Sequence, residues 1–231
     1  MPDTDSPRLV VVPFKHGPFW NFSYLLGCAE TGEAAVIDPA WDVGAMLATA
    51  ERRELRISTV ILTHAHHDHA HGVEEVVART GARVIAHEAE TADLRRLYGG
   101  SITAMEDTAE ERVGEATLRM VHTPGHSAGS ICIRAEDQLF TGDTIHVGAL
   151  GRPGPDGGAV EALWEVVRSV LQPMPGELLI RPGHDAGRHP AATLEDERRA
   201  NRALTARTFE EFRDELARSS HRILYGTQPG P

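Results

Sequence analysis

The sequence lacks the features that define several classes of protein. None of its apolar runs approaches the ~18 residues of a membrane-spanning helix, and it has only two cysteines, Cys28 and Cys132. Two cysteines are too few for a disulfide framework, so we expect two buried, reduced thiols. The formal net charge of −11 disfavours nucleic acid as a partner, since phosphate binding requires a basic surface. We therefore expect neither a membrane span nor a nucleic-acid partner.

Length and composition fit one globular domain. A chain of 231 residues with 41% hydrophobic content can form one full hydrophobic core and is short for two domains. We predict a single domain over residues 1–231, with loose termini at 1–7 and 226–231. Residues 1–6 are polar and include two aspartates, unlike a secretory or organellar leader. A cytoplasmic location is the expectation that follows.

Histidines are concentrated in residues 63–72, which read THAHHDHAHG. An apolar, strand-like run precedes this segment and a helical pattern ending in Gly81 follows it, so five histidines and Asp68 occupy a strand-to-helix turn. Imidazole and carboxylate groups that converge on one point suit zinc, iron or manganese. A His-rich tract can also bind metal without forming a defined site. Chance predicts only ~0.002 matches to H-x-H-x-D-H in this composition, which favours an active metal site.

Three later strand-like segments end in the same manner. Each runs into a Gly- or Pro-rich turn that carries a candidate ligand, namely His126, Asp143 and His184. Side chains delivered from strand ends to one edge provide the rigid framework that a metal site needs. Strands interleaved with helices predict a layered α/β fold.

The intervening segments carry weaker signals. Residues 99–111 have no clear period, and we expect them to cover part of the site's mouth. Residues 193–206 are predicted to form one helix. The apolar residues Phe19, Trp20 and Leu150 indicate a hydrophobic wall of a pocket, although core or interface positions would explain them equally well.

The H-x-H-x-D-H motif and the order of the four turns resemble the metallo-β-lactamase superfamily over roughly residues 20–205. This resemblance implies a four-layer αββα sandwich that holds two divalent metal ions, with zinc favoured and iron or manganese as the other candidates. By the family's motif, one ion would be bound by His64, His66 and His126, the second by Asp68, His69 and His184, with Asp143 bridging both. Asp68 would also orient the attacking water, which makes it the catalytic candidate.

Four further polar residues near these motifs are expected outside the ligand set. His122 would lie just behind the ligands. Asp38 is either an anion near the metals or a turn residue, and the pattern leaves both interpretations open. His67 and His71 occupy variable positions of the motif and are expected to face outward.

The second half of the chain is most similar to the glyoxalase II-type thioesterases and the related persulfide dioxygenases. Residues 140–144, FTGDT, followed by Gly151 and Arg152 resemble the glycine loop of that group. The basic residue of that loop contacts a glutathione carboxylate, so the resemblance makes Arg152 a candidate substrate contact. His146 replaces the usual Phe and adds an imidazole beside the metals and the substrate. Ala186 replaces a usual Tyr, and the group's basic C-terminal extension is not evident, which argues against glutathione rather than against hydrolysis.

Three functions compete at this point. The first is a metal-dependent hydrolase that acts on a thioester or a related small-molecule ester or lactone, with a homodimer as an allowed assembly. The alternative is a mononuclear iron persulfide dioxygenase, whose 2-His-1-carboxylate triad would be His64, His126 and Asp143. The third is a non-catalytic metal-binding protein, which we disfavour because all seven ligand positions of the motif are filled.

Overall fold

Two six-stranded β-sheets face each other in the structure, a computed structural model that describes residues 9–154 and 159–225. Helices pack on the outer face of each sheet, so the layers follow the order αββα. This confirms the predicted fold class. The termini predicted to be loose, 1–7 and 226–231, lie outside the described residues.

The strands of the first sheet lie side by side in chain order. They are β1 (Leu9–His16), β2 (Asn21–Cys28), β3 (Glu33–Ile37), β4 (Arg56–Ile61), β5 (Arg83–His87) and β6 (Ile102–Met105). Strands β1 to β3 are antiparallel and β3 to β6 are parallel. The connecting helices are α1 (Val43–Arg52), α2 (His67–Ala70), α3 (Val73–Thr80) and α4 (Thr91–Leu97), with a 3₁₀ turn, Glu88–Glu90, directly after β5. Strands β3, β4 and β5 therefore end at the same edge.

The second sheet has the strand order β14-β13-β10-β9-β8-β7. Its strands are β7 (Thr108–Val113), β8 (Ala116–His122), β9 (Ile131–Ala135), β10 (Gln138–Gly142), β13 (Leu179–Pro182) and β14 (Ala192–Thr193), and a small hairpin consists of β11 (Ile145–His146) and β12 (Ala149–Leu150). The helices of this half are α5 (Ala159–Val166), which continues as a π-helical segment (Val167–Leu171), α6 (Leu194–Ala200), α7 (Arg202–Thr205) and α8 (Phe209–Tyr225). Strands β8, β10 and β13 run in the same direction.

The central core lies between the two sheets. Tyr24 from the first sheet packs edge-on against Phe140 from the second, with ring centroids 5.0 Å apart. The Tyr24 hydroxyl donates a hydrogen bond of 2.6 Å to the carbonyl of Pro182, so its polar group is satisfied inside the core. Cys28 and Cys132 are both buried and are not joined in a disulfide, in line with the expectation of two free thiols. None of the helices within residues 9–154 and 159–225 has the length and apolarity that a membrane span requires.

Residues 99–111, in which the sequence shows no clear period, are largely in regular strands. These residues form β6 and most of β7, which are edge strands of the two sheets. Edge strands need few apolar residues, and in β7 Thr108, Glu110 and Arg112 are exposed while Glu111 and Val113 are buried. Polar residues on the exposed face hid this period-two pattern.

The prediction of one helix over residues 193–206 is also wrong. Asn201 leaves the helical region, with φ −91° and ψ 105°, and separates α6 from α7. Its side chain accepts a hydrogen bond from the backbone N–H of Ala203, which caps the second helix. Asparagine competes well for such capping positions, so the chain turns here despite its helical pattern.

Candidate metal centre

The predicted ligands meet at one edge of the sandwich because their strands all end there. His64 and His66 follow β4, His126 follows β8, Asp143 follows β10, and His184 follows β13. These strands come from both sheets, so the site lies across the top of the central core. The structure thus brings together residues from four distant parts of the chain.

The first group consists of three histidines with convergent ring nitrogens. His64 Nε2 lies 3.0 Å from His66 Nδ1, and His126 Nε2 lies 2.9 Å from the same atom. His64 is fully buried, whereas His66 is exposed. Three nitrogen donors around one point can hold one metal ion.

The second group consists of Asp68, His69 and His184. His69 Nε2 lies 3.1 Å from His184 Nε2, and Asp68 Oδ2 lies 3.5 Å from His184 Nε2. Gly183 allows the backbone to pass close by, because a Cβ there would lie 2.4 Å from Asp143 Oδ1 and 2.7 Å from His69 Cε1. Only glycine fits at this position.

Asp143 stands between the two groups. Its Oδ2 lies 3.5 Å from His126 Nε2 of the first group and 3.3 Å from His184 Nε2 of the second. Its Oδ1 lies 3.5 Å from His69 Nε2, and this buried oxygen accepts no hydrogen bond from the described residues. Burial alone would raise the pKa of Asp143, but His184 and His69 hold it well below its usual value, so the side chain is a carboxylate.

Backbone carbonyls orient two of the imidazoles. His126 Nδ1 lies 2.8 Å from the carbonyl oxygen of Arg152, and His184 Nδ1 lies 2.9 Å from that of Phe19. Since a carbonyl can only accept, each Nδ1 carries the proton. The Nε2 lone pair of each ring therefore points into the site, as metal-binding histidines require.

Asp38 and Thr63 orient two more imidazoles, those of His69 and His64. Asp38 Oδ2 lies 3.1 Å from His69 Nδ1 and accepts the Thr63 hydroxyl at 2.6 Å. Because that hydroxyl donates to Asp38, it accepts the N–H of His64 Nδ1 at 3.0 Å. Asp38 also has φ 47°, the left-handed conformation that Asp tolerates in turns. Both interpretations left open for Asp38 are therefore correct.

These donors fit divalent metal ions. Two nitrogens bound to one tetrahedral ion at about 2.0–2.1 Å would be about 3.3 Å apart, close to the distances within both groups. Burial, followed by the neighbouring His69 and His126, lowers the pKa of His64 well below its usual value. A neutral imidazole with its lone pair directed into the site is the form that binds a metal.

Asn21 supports Asp68 and was missed by sequence reasoning. Its side-chain amide donates a 2.9 Å hydrogen bond to Asp68 Oδ2, and its oxygen accepts one from Trp41 Nε1 at 3.3 Å. Trp41 packs in turn on His71, which is exposed together with His67, as predicted for both histidines. Nothing in the sequence around Asn21 distinguishes it from any residue at the start of a strand.

Five residues predicted near the substrate differ in how far they are buried. His146 is buried with its ring centroid 5.8 Å from that of His184, and the side chain of Arg152 is exposed. Phe19 and Trp20 are 63% and 42% exposed, on the loop whose Phe19 carbonyl is hydrogen-bonded to His184. Leu150 is fully buried in the core of the second sheet and its helices, so of the interpretations left open for it the core position is correct.

His122 belongs to a separate cluster with His87 and Asp107. Its ring stacks on His87 with centroids 3.9 Å apart, and its Nε2 donates to the carbonyl of Ala128 at 2.8 Å. It therefore supports the backbone of the His126 turn. His87 Nδ1 accepts the N–H of Ala89 at 3.2 Å, so its Nε2 carries a proton and has no free lone pair. We therefore assign no metal to this cluster.

The comparison with family models identifies the class of the protein. Residues 17–208 match the metallo-beta-lactamase superfamily, and the chain belongs to that superfamily. The resemblance inferred from the H-x-H-x-D-H motif is confirmed.

Three individual proteins of this superfamily are similar to the chain. The chain is 38% identical over 172 residues to a hydroxyacylglutathione hydrolase of Polaromonas sp. (strain JS666), which covers 71% of this chain and 62% of that protein. It is 27% identical to a probable polyketide biosynthesis zinc-dependent hydrolase of Bacillus velezensis, over 78% of this chain and 80% of the relative. The crystal structure of ETHE1 from Myxococcus xanthus is similar with a TM-score of 0.78 and 27% identity, over 96% of this chain and 93% of ETHE1.

Proposed function

We propose that the protein is a metal-dependent hydrolase that cleaves a thioester or a related ester or lactone. The observation that carries this proposal is the pair of ligand groups with the Asp143 carboxylate between them. The similarity to the Polaromonas hydroxyacylglutathione hydrolase and to the Bacillus hydrolase supports it.

The ligands we propose are His64, His66 and His126 for one ion, Asp68, His69 and His184 for the second, and Asp143 for both. Borderline divalent ions suit this mixture of imidazole and carboxylate, with zinc first and iron or manganese as alternatives. Two such ions supply Lewis acidity, which lowers the pKa of water and polarises a substrate carbonyl.

Asp68 is the proposed catalytic residue. Burial opposes its ionisation, but His69 and the hydrogen bond from Asn21 lower the pKa of Asp68 below its usual value. It is therefore a carboxylate at neutral pH, partly exposed at the site. We expect it to hold the attacking water by one proton and to orient its lone pair toward the substrate carbonyl.

Substrate contacts are proposed at Arg152 and His146. The exposed Arg152 guanidinium can pair with an anionic group of a substrate. The Nδ1 of His146 is buried and has no hydrogen-bond partner within residues 9–154 and 159–225. Phe19 and Trp20 offer apolar surface on the adjacent loop. We expect the apolar acyl or thiol part of a substrate to pack against these two side chains.

The test is hydrolysis by zinc-loaded protein of glutathione thioesters, other thioesters and lactones, monitored by thiol or acid release. Asp143→Ala should lower kcat/KM at least ~100-fold, because even the loss of a group that only hydrogen-bonds a metal ligand costs about 10–100-fold. Asp93→Ala, which removes an exposed carboxylate that pairs only with Arg96 on helix α4, is the matched control. Full activity of Asp143→Ala would refute the proposal.

A mononuclear iron persulfide dioxygenase is the second candidate. ETHE1, to which the chain is similar over nearly its whole length, is a persulfide dioxygenase, and this similarity is the observation that supports the second candidate. His64, His126 and Asp143 would form its 2-His-1-carboxylate triad. The test is oxygen uptake by iron-loaded protein supplied with glutathione persulfide. Oxygen uptake without thioester hydrolysis would refute the hydrolase and support the dioxygenase. Absence of turnover in both assays would favour a non-catalytic metal-binding protein.

We also propose a cytoplasmic protein that acts on small molecules without a nucleic-acid partner, with a homodimer as its assembly. The two buried, unbridged cysteines suit a reducing compartment. Size-exclusion chromatography with light scattering tests the assembly.

A further inference from the structure

A buried carboxylate outside the ligand set connects two of the ligand turns. Glu90 ends the 3₁₀ turn that follows β5, and it is only 4% exposed. The turn is capped by His87, whose Nδ1 accepts the backbone N–H of Ala89. This cap directs the chain so that the Glu90 side chain enters the protein instead of the solvent.

Three donors converge on Glu90. Its Oε2 accepts the backbone N–H of Ala65 at 2.8 Å. Its Oε1 accepts the backbone N–H of Gly129 at 2.7 Å and the hydroxyl of Ser127 at 2.8 Å. The two backbone N–H groups can only donate, and they lie on different oxygens of Glu90, so the position requires a side chain with two acceptor oxygens, as a carboxylate has.

These donors belong to the turns of the first ligand group. Ala65 lies between His64 and His66, and Ser127 directly follows His126. The two turns come from different sheets, after β4 and β8. The approach is close, because a Cβ at Gly129 would lie 2.7 Å from Glu90 Cγ.

We propose that Glu90 is a positioning residue that holds the His64–His66 turn and the His126 turn at the separation one metal ion requires. The inference rests on the proposed function only through the ligand roles of these three histidines. Partners of this kind typically contribute 10–100-fold to metal affinity, and we expect an effect of that size here.

Two substitutions of Glu90 should weaken metal binding to different extents. Glu90→Gln keeps one acceptor oxygen, so it can hold one turn while its NH₂ group faces an N–H of the other. Glu90→Ala releases both turns. Glu88→Gln is the matched control, because Glu88 lies in the same 3₁₀ turn with an exposed side chain.

The readouts are Zn²⁺ affinity by chelator competition, the absorption spectrum of the Co²⁺-substituted protein, and thermal unfolding of the metal-free protein. We expect Zn²⁺ affinity to fall about 10-fold in Glu90→Gln and up to about 100-fold in Glu90→Ala, with altered Co²⁺ bands and no change in the control. Metal affinity and Co²⁺ bands equal to wild type, with only a lower unfolding temperature, would overturn the proposal. These readouts need no turnover, so an inactive wild type would refute the hydrolase without affecting the role of Glu90.

Discussion

Replacing Asp38 with asparagine should weaken metal binding, most of all by the second ligand group. Asp38 is 2% exposed, and its carboxylate accepts three hydrogen bonds: from the Thr63 N–H at 2.7 Å, from the Thr63 hydroxyl at 2.6 Å and from His69 Nδ1 at 3.1 Å. Asparagine has the same shape and tolerates φ 47°, so the backbone strain of other substitutions is avoided. The change removes the charge and converts one acceptor into a donor.

The magnitude follows from the two orientations of the amide. If its oxygen faces His69, its NH₂ group opposes the Thr63 N–H; if it is flipped, the NH₂ group opposes His69 Nδ1–H. Either arrangement leaves at least one buried group unsatisfied, which costs about 1–3 kcal/mol of unfolding free energy. For a protein of this size, that lowers the melting temperature by roughly 2–12 °C. Loss of a carboxylate behind a metal-binding imidazole also costs about 10–100-fold in affinity, or about 1.4–2.8 kcal/mol.

The assay is zinc titration of the metal-free protein with a chromophoric chelator, which resolves two affinities. We expect the site that contains His69 to lose the most affinity, because Asp38 bonds that imidazole directly. The other site should lose less, since Asp38 reaches His64 only through the Thr63 hydroxyl and does not bond the imidazoles of His66 or His126. Asp42→Asn is the matched control, since Asp42 also has a positive φ but lies exposed at the start of α1. Two unchanged zinc affinities in Asp38→Asn would refute the argument that Asp38 supports the metal site.

Two further predictions concern protonation. Burial opposes the charge on His69, but Asp143 and Asp38 raise its pKa to about 9 in the metal-free protein. Protonated His69 therefore stabilises the metal-free fold below its unfolded pKa of about 6.5, and this contribution is lost as pH rises through about 9. Metal binding near pH 8 should then release a proton, which the buffer takes up. The binding enthalpy measured by calorimetry should therefore vary with the ionisation enthalpy of the buffer. An enthalpy that is the same in all buffers would contradict a protonated His69. Separately, burial raises the pKa of Cys132 to about 11, so its thiol should not react with a disulfide reagent at about pH 8 until the protein is denatured; rapid labelling of the native protein at Cys132 would disprove this.

The parts of the fold that sequence reasoning identified are those with a local signal. Strands β2, β4 and β8 are apolar on a buried face, and each ligand turn combines histidine or aspartate with glycine within a few residues. The edge strands β6 and β7 have no comparable run, because only one neighbour and one buried face constrain them. The break at Asn201 depends on one capping hydrogen bond, which a helical period cannot reveal.

The supporting residues of the site could not be predicted for a different reason. Glu90 lies 25 residues from Ala65 and 39 from Gly129, and Asp38 lies 31 residues from His69, so no sequence window contains both partners. A glutamate beside the start of a helix looks like an ordinary first-turn acid. Its role depends on the fold, which brings the N–H groups of two turns to a buried carboxylate. The residues proposed to bind metal can thus be recognised from local motifs, whereas the groups that hold them in place can be identified only once the two sheets have packed together.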